Sequence, residues 1–78
     1  MPSAFMLINT EIGSESKVLA TLKKIHSVEE AYMVYGVYDI LAKFKADTMG
    51  ELKEIVTSHV RRLDEIQSTL TMIVVESK

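Results

Sequence analysis

The chain contains no cysteine. Disulfides, thiolate nucleophiles and Cys-based metal sites are therefore excluded, and the lack fits a cytoplasmic protein. At 78 residues it sits near the lower limit for independent stability, because a domain of this size buries only about 60% of the surface its unfolded chain exposes. Small chains lean on disulfides, metals or partners, and oligomerisation is the support left open here. There is no basic surplus either: nine Lys and Arg face eleven Asp and Glu, for a net charge of −2. The electrostatic footprint of a nucleic-acid binder is missing. The single arginine pair, Arg61-Arg62, is followed by Asp64 and Glu65 and reads as a solvated helix end. No stretch approaches the ~20 apolar residues of a membrane span. Met1 to Ile8 has no basic n-region, and its apolar run is too short for a signal peptide. Linkers and low-complexity tracts are absent too, so one domain over residues 1–78 is expected.

What is present is organised around Val34-Tyr35-Gly36-Val37-Tyr38-Asp39-Ile40. Two apolar, β-leaning runs meet there with Gly36 between them, which predicts a tight hairpin. Ala4 to Ile8 is apolar at every position, as in a central strand with both faces covered. Ser14 is placed to cap a helix with Glu15 in its first turn, and Val18, Leu22 and Ile25 then keep helical spacing. Val28 to Tyr35 reads as a strand with an exposed beginning. Tyr38 to Ala46 alternates, with Ile40, Ala42 and Phe44 on one side and Leu41, Lys43 and Lys45 on the other. Thr48 and Glu51 form a capping box, opening a helix that runs to about Arg62, with Gly50 in its first turn. Ser68 to Val75 is the last strand: Leu70, Met72 and Val74 share one side, and Thr69, Thr71, Ile73 and Val75 the other.

The order β-α-β-β-α-β, with short connections, predicts the α+β ferredoxin-like arrangement: a four-stranded antiparallel sheet, first and third strands central, both helices on one face. The helices cover only that face. The other offers roughly 400 Å², the size of the largest apolar patch on an ordinary monomer. An alternating set, Phe5, Leu7, Met33, Tyr35, Leu41, Ile73 and Val75 or its complement, would be left in water. A homodimer packed sheet on sheet, a dimeric α/β barrel, is the expected remedy.

Catalytic patterns are thin. The acids sit at helix ends and on solvated faces, and Ser58 and His59 are neighbours that point different ways from a helix. His26 and His59 each end a helix and lack companions at metal-ligand spacing; no metal or other cofactor is expected. The five Met residues fall on core faces. Tyr32, Tyr35 and Tyr38 gather around the hairpin, as core or dimer packing whose hydroxyls need partners if buried. Asp39, a lone acid in an apolar turn, either caps its own hairpin backbone or receives the ammonium of a small ligand.

Taken together, Val28-x-x-x-Tyr32-x-Val34-x-Gly36-x-Tyr38-Asp39-Ile40, a capped helix and Thr69-x-Thr71-x-Ile73-Val74 resemble the effector-binding (RAM) domain of the Lrp/AsnC, or feast/famine, transcription regulators. The resemblance spans essentially the whole chain. It implies a domain that dimerises through its sheet, with dimers assembling to octamers and a small effector, an amino acid, held between dimers. Carried across, the ligand-binding residues are Tyr35, Gly36, Val37, Tyr38 and Asp39 of the turn and Thr69, Leu70 and Thr71 of the last strand. Turn N–H groups would hold a carboxylate and Asp39 an ammonium. Two departures stand out. The family's helix-turn-helix is absent from these residues, so no direct contact with nucleic acid is expected, and a stand-alone form would act through full-length Lrp/AsnC regulators. The Gly-Val usual before the last strand is replaced by Glu65-Ile66. Two other readings share the topology: a small dimeric α/β-barrel enzyme of the monooxygenase or isomerase kind, which needs a His or acid inside the sheet-lined cavity, and an ACT-type regulatory module, whose sheets lie side by side.

Overall fold

Strand alternation builds the molecule outward from β1 (Ser3–Thr10), where Ala4, Met6, Ile8 and Thr10 are buried and the residues between them half-buried. A computed structural model of the chain describes residues 2–60 and 63–74, the side chains of His59 and Val60 excepted. The other elements are α1 (Glu15–Lys23), β2 (Val28–Met33), β3 (Ile40–Lys45), α2 (Met49–Ile55) continuing into a π-helical turn (Val56–Val60), and β4 (Ile66–Ile73). All strand pairs are antiparallel and the order is β2-β3-β1-β4, with β1 and β3 central as expected. The core joins Ala4, Met6 and Ile8 with Ile40, Ala42 and Phe44 of β3, and with Val18 and Leu22 of α1 and Leu52 of α2.

Local details depart from expectation in instructive ways. The connection between β2 and β3 is not a tight hairpin but a six-residue loop, residues 34–39, closed by Val34 N–H donating to Asp39 O at 2.9 Å. Gly36 lies in it at φ +134°. Ser14 stands at the start of α1, but its side chain makes no cap bond. Its backbone does the work instead, its N–H donating to Glu11 O at 2.9 Å and its carbonyl accepting from Val18 N at 3.0 Å. The Thr48 cap is present, with Glu51 N–H donating to Thr48 Oγ1 at 3.1 Å. The Glu51 carboxylate reaches back to Asp47 N, one residue further than the motif requires. The α-helical path expected to about Arg62 ends at Ile55. Thr57 Oγ1 donates to Lys53 O at 2.5 Å, and this back-bonding competes for a carbonyl of the helical ladder. Arg61, Arg62 and Val75 lie outside the described residues.

The helix-free face is built by Phe5 and Leu7 of β1, Leu41 and Lys43 of β3, Tyr32 of β2 and Leu70 and Met72 of β4, as the register requires. Phe5, Leu7 and Leu41 were expected there; Met33 and Ile73 were not found there. They sit opposite buried Ile40 and Ala4, and Tyr35 lies in the loop. The reason is physical: both sides of β4 are apolar or neutral, so its own alternation cannot say which side joins Phe5. Bulges at Glu29 in β2 and Gln67 in β4 reset the register where each strand begins.

Candidate functional site

Loop 34–39 hangs over the end of the sheet where β1 finishes and α1 begins. Its far foot is fixed by Asp39. The Asp39 N–H donates to Ile8 O at 3.0 Å, and its Oδ2 accepts from Thr10 N–H at 3.0 Å and from Thr10 Oγ1 at 3.5 Å. Asp39 thus caps the neighbouring strand rather than its own hairpin. Among the described residues its Oδ1 makes no hydrogen bond. Gly36 and Val37 are exposed and Tyr38 is half-buried, while Tyr35 is fully exposed. A depression of about 300 Å³ beneath the loop is lined by Glu15, Met33, Val34, Tyr35 and Asp39. Two carboxylates and an apolar wall suit it to an ammonium group.

The expected β4 residues lie elsewhere. Leu70 is on the open sheet face, while Thr69 and Thr71 sit opposite Ile8 and Met6 on the helix side. Thr71 lines a second depression of about 260 Å³ with Leu52, Lys53, Val56, Thr57 and Ile73. Its Oγ1 is buried without a hydrogen-bond partner. Asp39 and β4 are two strand spacings apart, so Thr69 and Thr71 stand roughly 10 and 14 Å from it by sheet geometry. Within one chain the structure brings Tyr35 and Asp39 together but not with Thr69–Thr71. Glu15, Met33 and Val34 were missed by the sequence reading, although the topology that puts the end of β1 beside the β2–β3 loop points to Glu15. No sequence signal marks the α2–β4 depression.

The open sheet face is apolar at its centre and charged at one corner. Lys43 Nζ lies 5.7 Å from the Phe5 ring centroid, a cation–π distance. The bulged Glu29 pairs with both Lys43, at 3.4 Å, and Lys45, at 3.2 Å. The hydrogen bond from Lys45, then the Lys43 bond and both charges, hold the Glu29 carboxyl below its ordinary pKa against the opposing effect of desolvation. The Tyr32 hydroxyl donates to Glu30, and that hydrogen bond, then the carboxylate's charge, push the phenol pKa up. At the loop end, Lys17 bonds Glu65 at 2.8 Å and lowers that carboxyl's pKa. His26 is exposed in the turn after α1 and lines a depression of about 280 Å³ with Glu29, Lys45, Asp47 and Glu51. Among the described residues no group of three or more His, Asp or Glu side chains is placed to hold a metal ion. Nor is any helix among them long and apolar enough to cross a membrane.

Residues 3–78 match the family model of the Lrp/AsnC ligand binding domain. The chain belongs to the Lrp/AsnC family. It is 39% identical over 57 residues to the regulatory protein AsnC of Haemophilus influenzae, an alignment covering 73% of this chain and 38% of that protein. The chain thus spans about two fifths of the length of these regulators. Among solved structures, the Pyrococcus horikoshii protein PHS023 superposes with a TM-score of 0.93 at 40% identity, covering 99% of this chain and 93% of that one. Escherichia coli AsnC superposes at 0.89 with 30% identity, covering 97% of this chain and 52% of its own. The ferredoxin-like sheet of this Lrp/AsnC domain is therefore shared with named transcriptional regulators.

Proposed function

We propose that residues 1–78 form a single effector-binding, oligomerising regulatory domain without enzymatic activity. It takes a small effector, an amino acid, and works in the cytoplasm by co-assembly with full-length Lrp/AsnC regulators rather than by touching DNA. Two copies pack open face to open face, and dimers join toward an octamer. The effector site draws on Tyr35, Gly36, Val37, Tyr38 and Asp39 of one copy and on Thr69, Leu70 and Thr71 of another.

The observation that carries this reading is the placement of Asp39. One carboxylate oxygen is committed to Thr10 and anchors the loop, while the residue also lines the depression under Tyr35. A free amino acid is shorter than the roughly 10–14 Å that separate Asp39 from Thr69 and Thr71 in one chain. Both groups reach one effector only when they come from different copies, so a binding site made by assembly follows. The exposed Tyr32, Leu70 and Met72 of the open face supply the hydrophobic drive for pairing.

Calorimetric titration of the twenty amino acids with light scattering in parallel tests the proposal. Binding of at least one, with a stable dimer as the smallest species, is expected. Asp39→Asn keeps an acceptor for Thr10 while removing the charge, and should weaken that binding roughly tenfold. A monomer indifferent to all twenty would overturn the reading.

A further inference from the structure

Resting on the face-to-face pairing above, we infer that the bulge at Glu29 makes the open face compatible with a second copy of itself, by bringing its charges to zero. Val28 stands opposite Phe44. Without the extra residue, alternation would put Glu29 opposite Lys43 and send Glu30 to the helix side. The bulge sets Glu30 opposite Lys43 instead. Glu29 still reaches Lys43 at 3.4 Å and Lys45 at 3.2 Å. Two glutamates therefore stand beside two lysines in one corner of the face. Among the described residues the strands β1 and β4 add no charge to that side: Phe5 and Leu7 stand opposite Met72 and Leu70, and Asn9 bonds Ser68 at 3.4 Å.

Each of the four charges is answered within its own chain. Glu29 serves both lysines, Lys43 also lies over the Phe5 ring, and the Tyr32 hydroxyl donates to Glu30. Exposed ion pairs add little to the stability of a lone subunit, so the cluster has its effect when the face is covered. A two-fold pair buries the same patch on both subunits, and any charge left over in the corner is doubled when the pair forms. One uncancelled lysine per copy would put two like charges beside a covered apolar surface. A corner that sums to zero brings no such repulsion. A strongly charged partner, in turn, gains nothing from charges already answered, so the face fits a neutral surface like its own.

The test is sedimentation equilibrium of the full chain at about 0.05 and 0.5 M salt, which brackets weak and strong screening. The affinity of the wild-type dimer should change by less than about threefold between the two. Glu29→Gln leaves one positive charge over in each copy. It should weaken the dimer roughly tenfold at low salt and recover most of that loss at high salt. A merely structural role for Glu29 gives no such reversal. Glu29→Gln with Lys43→Met returns the corner to zero and should pair like the wild type. Lys45→Gln leaves one negative charge over and should show the same salt-reversible weakening; it decides the matter if Glu29→Gln does not fold. Unchanged affinity in the single variants, weakening that salt does not relieve, or a wild-type dimer as salt-sensitive as the variants overturns this inference and leaves the pairing standing. A wild type that stays monomeric overturns both.

Discussion

Two glycines show how one residue type carries opposite consequences. Gly36 sits at φ +134° with nothing near the place a Cβ would occupy, so a side chain there meets no clash, only backbone strain. Gly36→Ala should lower stability by about 1–2 kcal/mol in a denaturant titration. Gly50 lies in the first turn of α2, where an added Cβ meets only Thr48 Oγ1 at 3.9 Å. Gly50→Ala should raise stability by about 0.5–1 kcal/mol. Glu29 gives a residue-scale pH effect. Its folded pKa lies below the unfolded 4.5, so its contribution is fully present above that value and fades as pH falls through the folded pKa. Glu29→Gln should flatten the acid limb of a stability–pH curve measured between about pH 2 and 6, and leave the limb above pH 7 unchanged.

At the scale of elements, caps and bulges decide the boundaries. The Thr48 cap of α2 leads into a helix with only seven α-helical residues, too short to hold itself without tertiary support. Thr48→Ala should therefore destabilise the domain by about 1 kcal/mol, read from thermal unfolding, with far-UV circular dichroism at low temperature little changed. Element identity was legible in the sequence because Val18 and Leu22, or Ile40, Ala42 and Phe44, keep an unambiguous period. What was not legible depended on long-range bonding. Asp39 bonding Ile8 and Thr10 turns a hairpin into a six-residue loop, and no local pattern announces a partner 29 residues away. The bulges at Glu29 and Gln67 are equally silent, and β4, apolar or neutral on both sides, does not announce that Leu70 and Met72 rather than Ile73 join the open face.

On the scale of the whole molecule, two sheet faces compete for cover. The helices take one; Phe5, Leu7, Tyr32, Leu41, Leu70 and Met72 line the other. Leu41 is half-buried at the centre of that face, between Leu7 and Tyr32. Leu41→Lys would place a second subunit's apolar surface against an unpaired charge. Sedimentation should then show a monomer, with the far-UV spectrum retained. A dimer of unchanged affinity would mean that the sheets do not meet face to face. Resemblance and element order made the architecture legible, but not the six-residue form of the β2–β3 connection. The α2–β4 depression was not, because it depends on a helix changing pitch at Val56.

The arch of residues 34–39 stands on two nailed-down feet, Val34 at one side and Asp39 at the other, with its crown at Gly36. Such an arch can sway at the crown while its footings, and the strands beneath, stay still. A domain built this way can reshape its surface at the crown without loosening what holds it together.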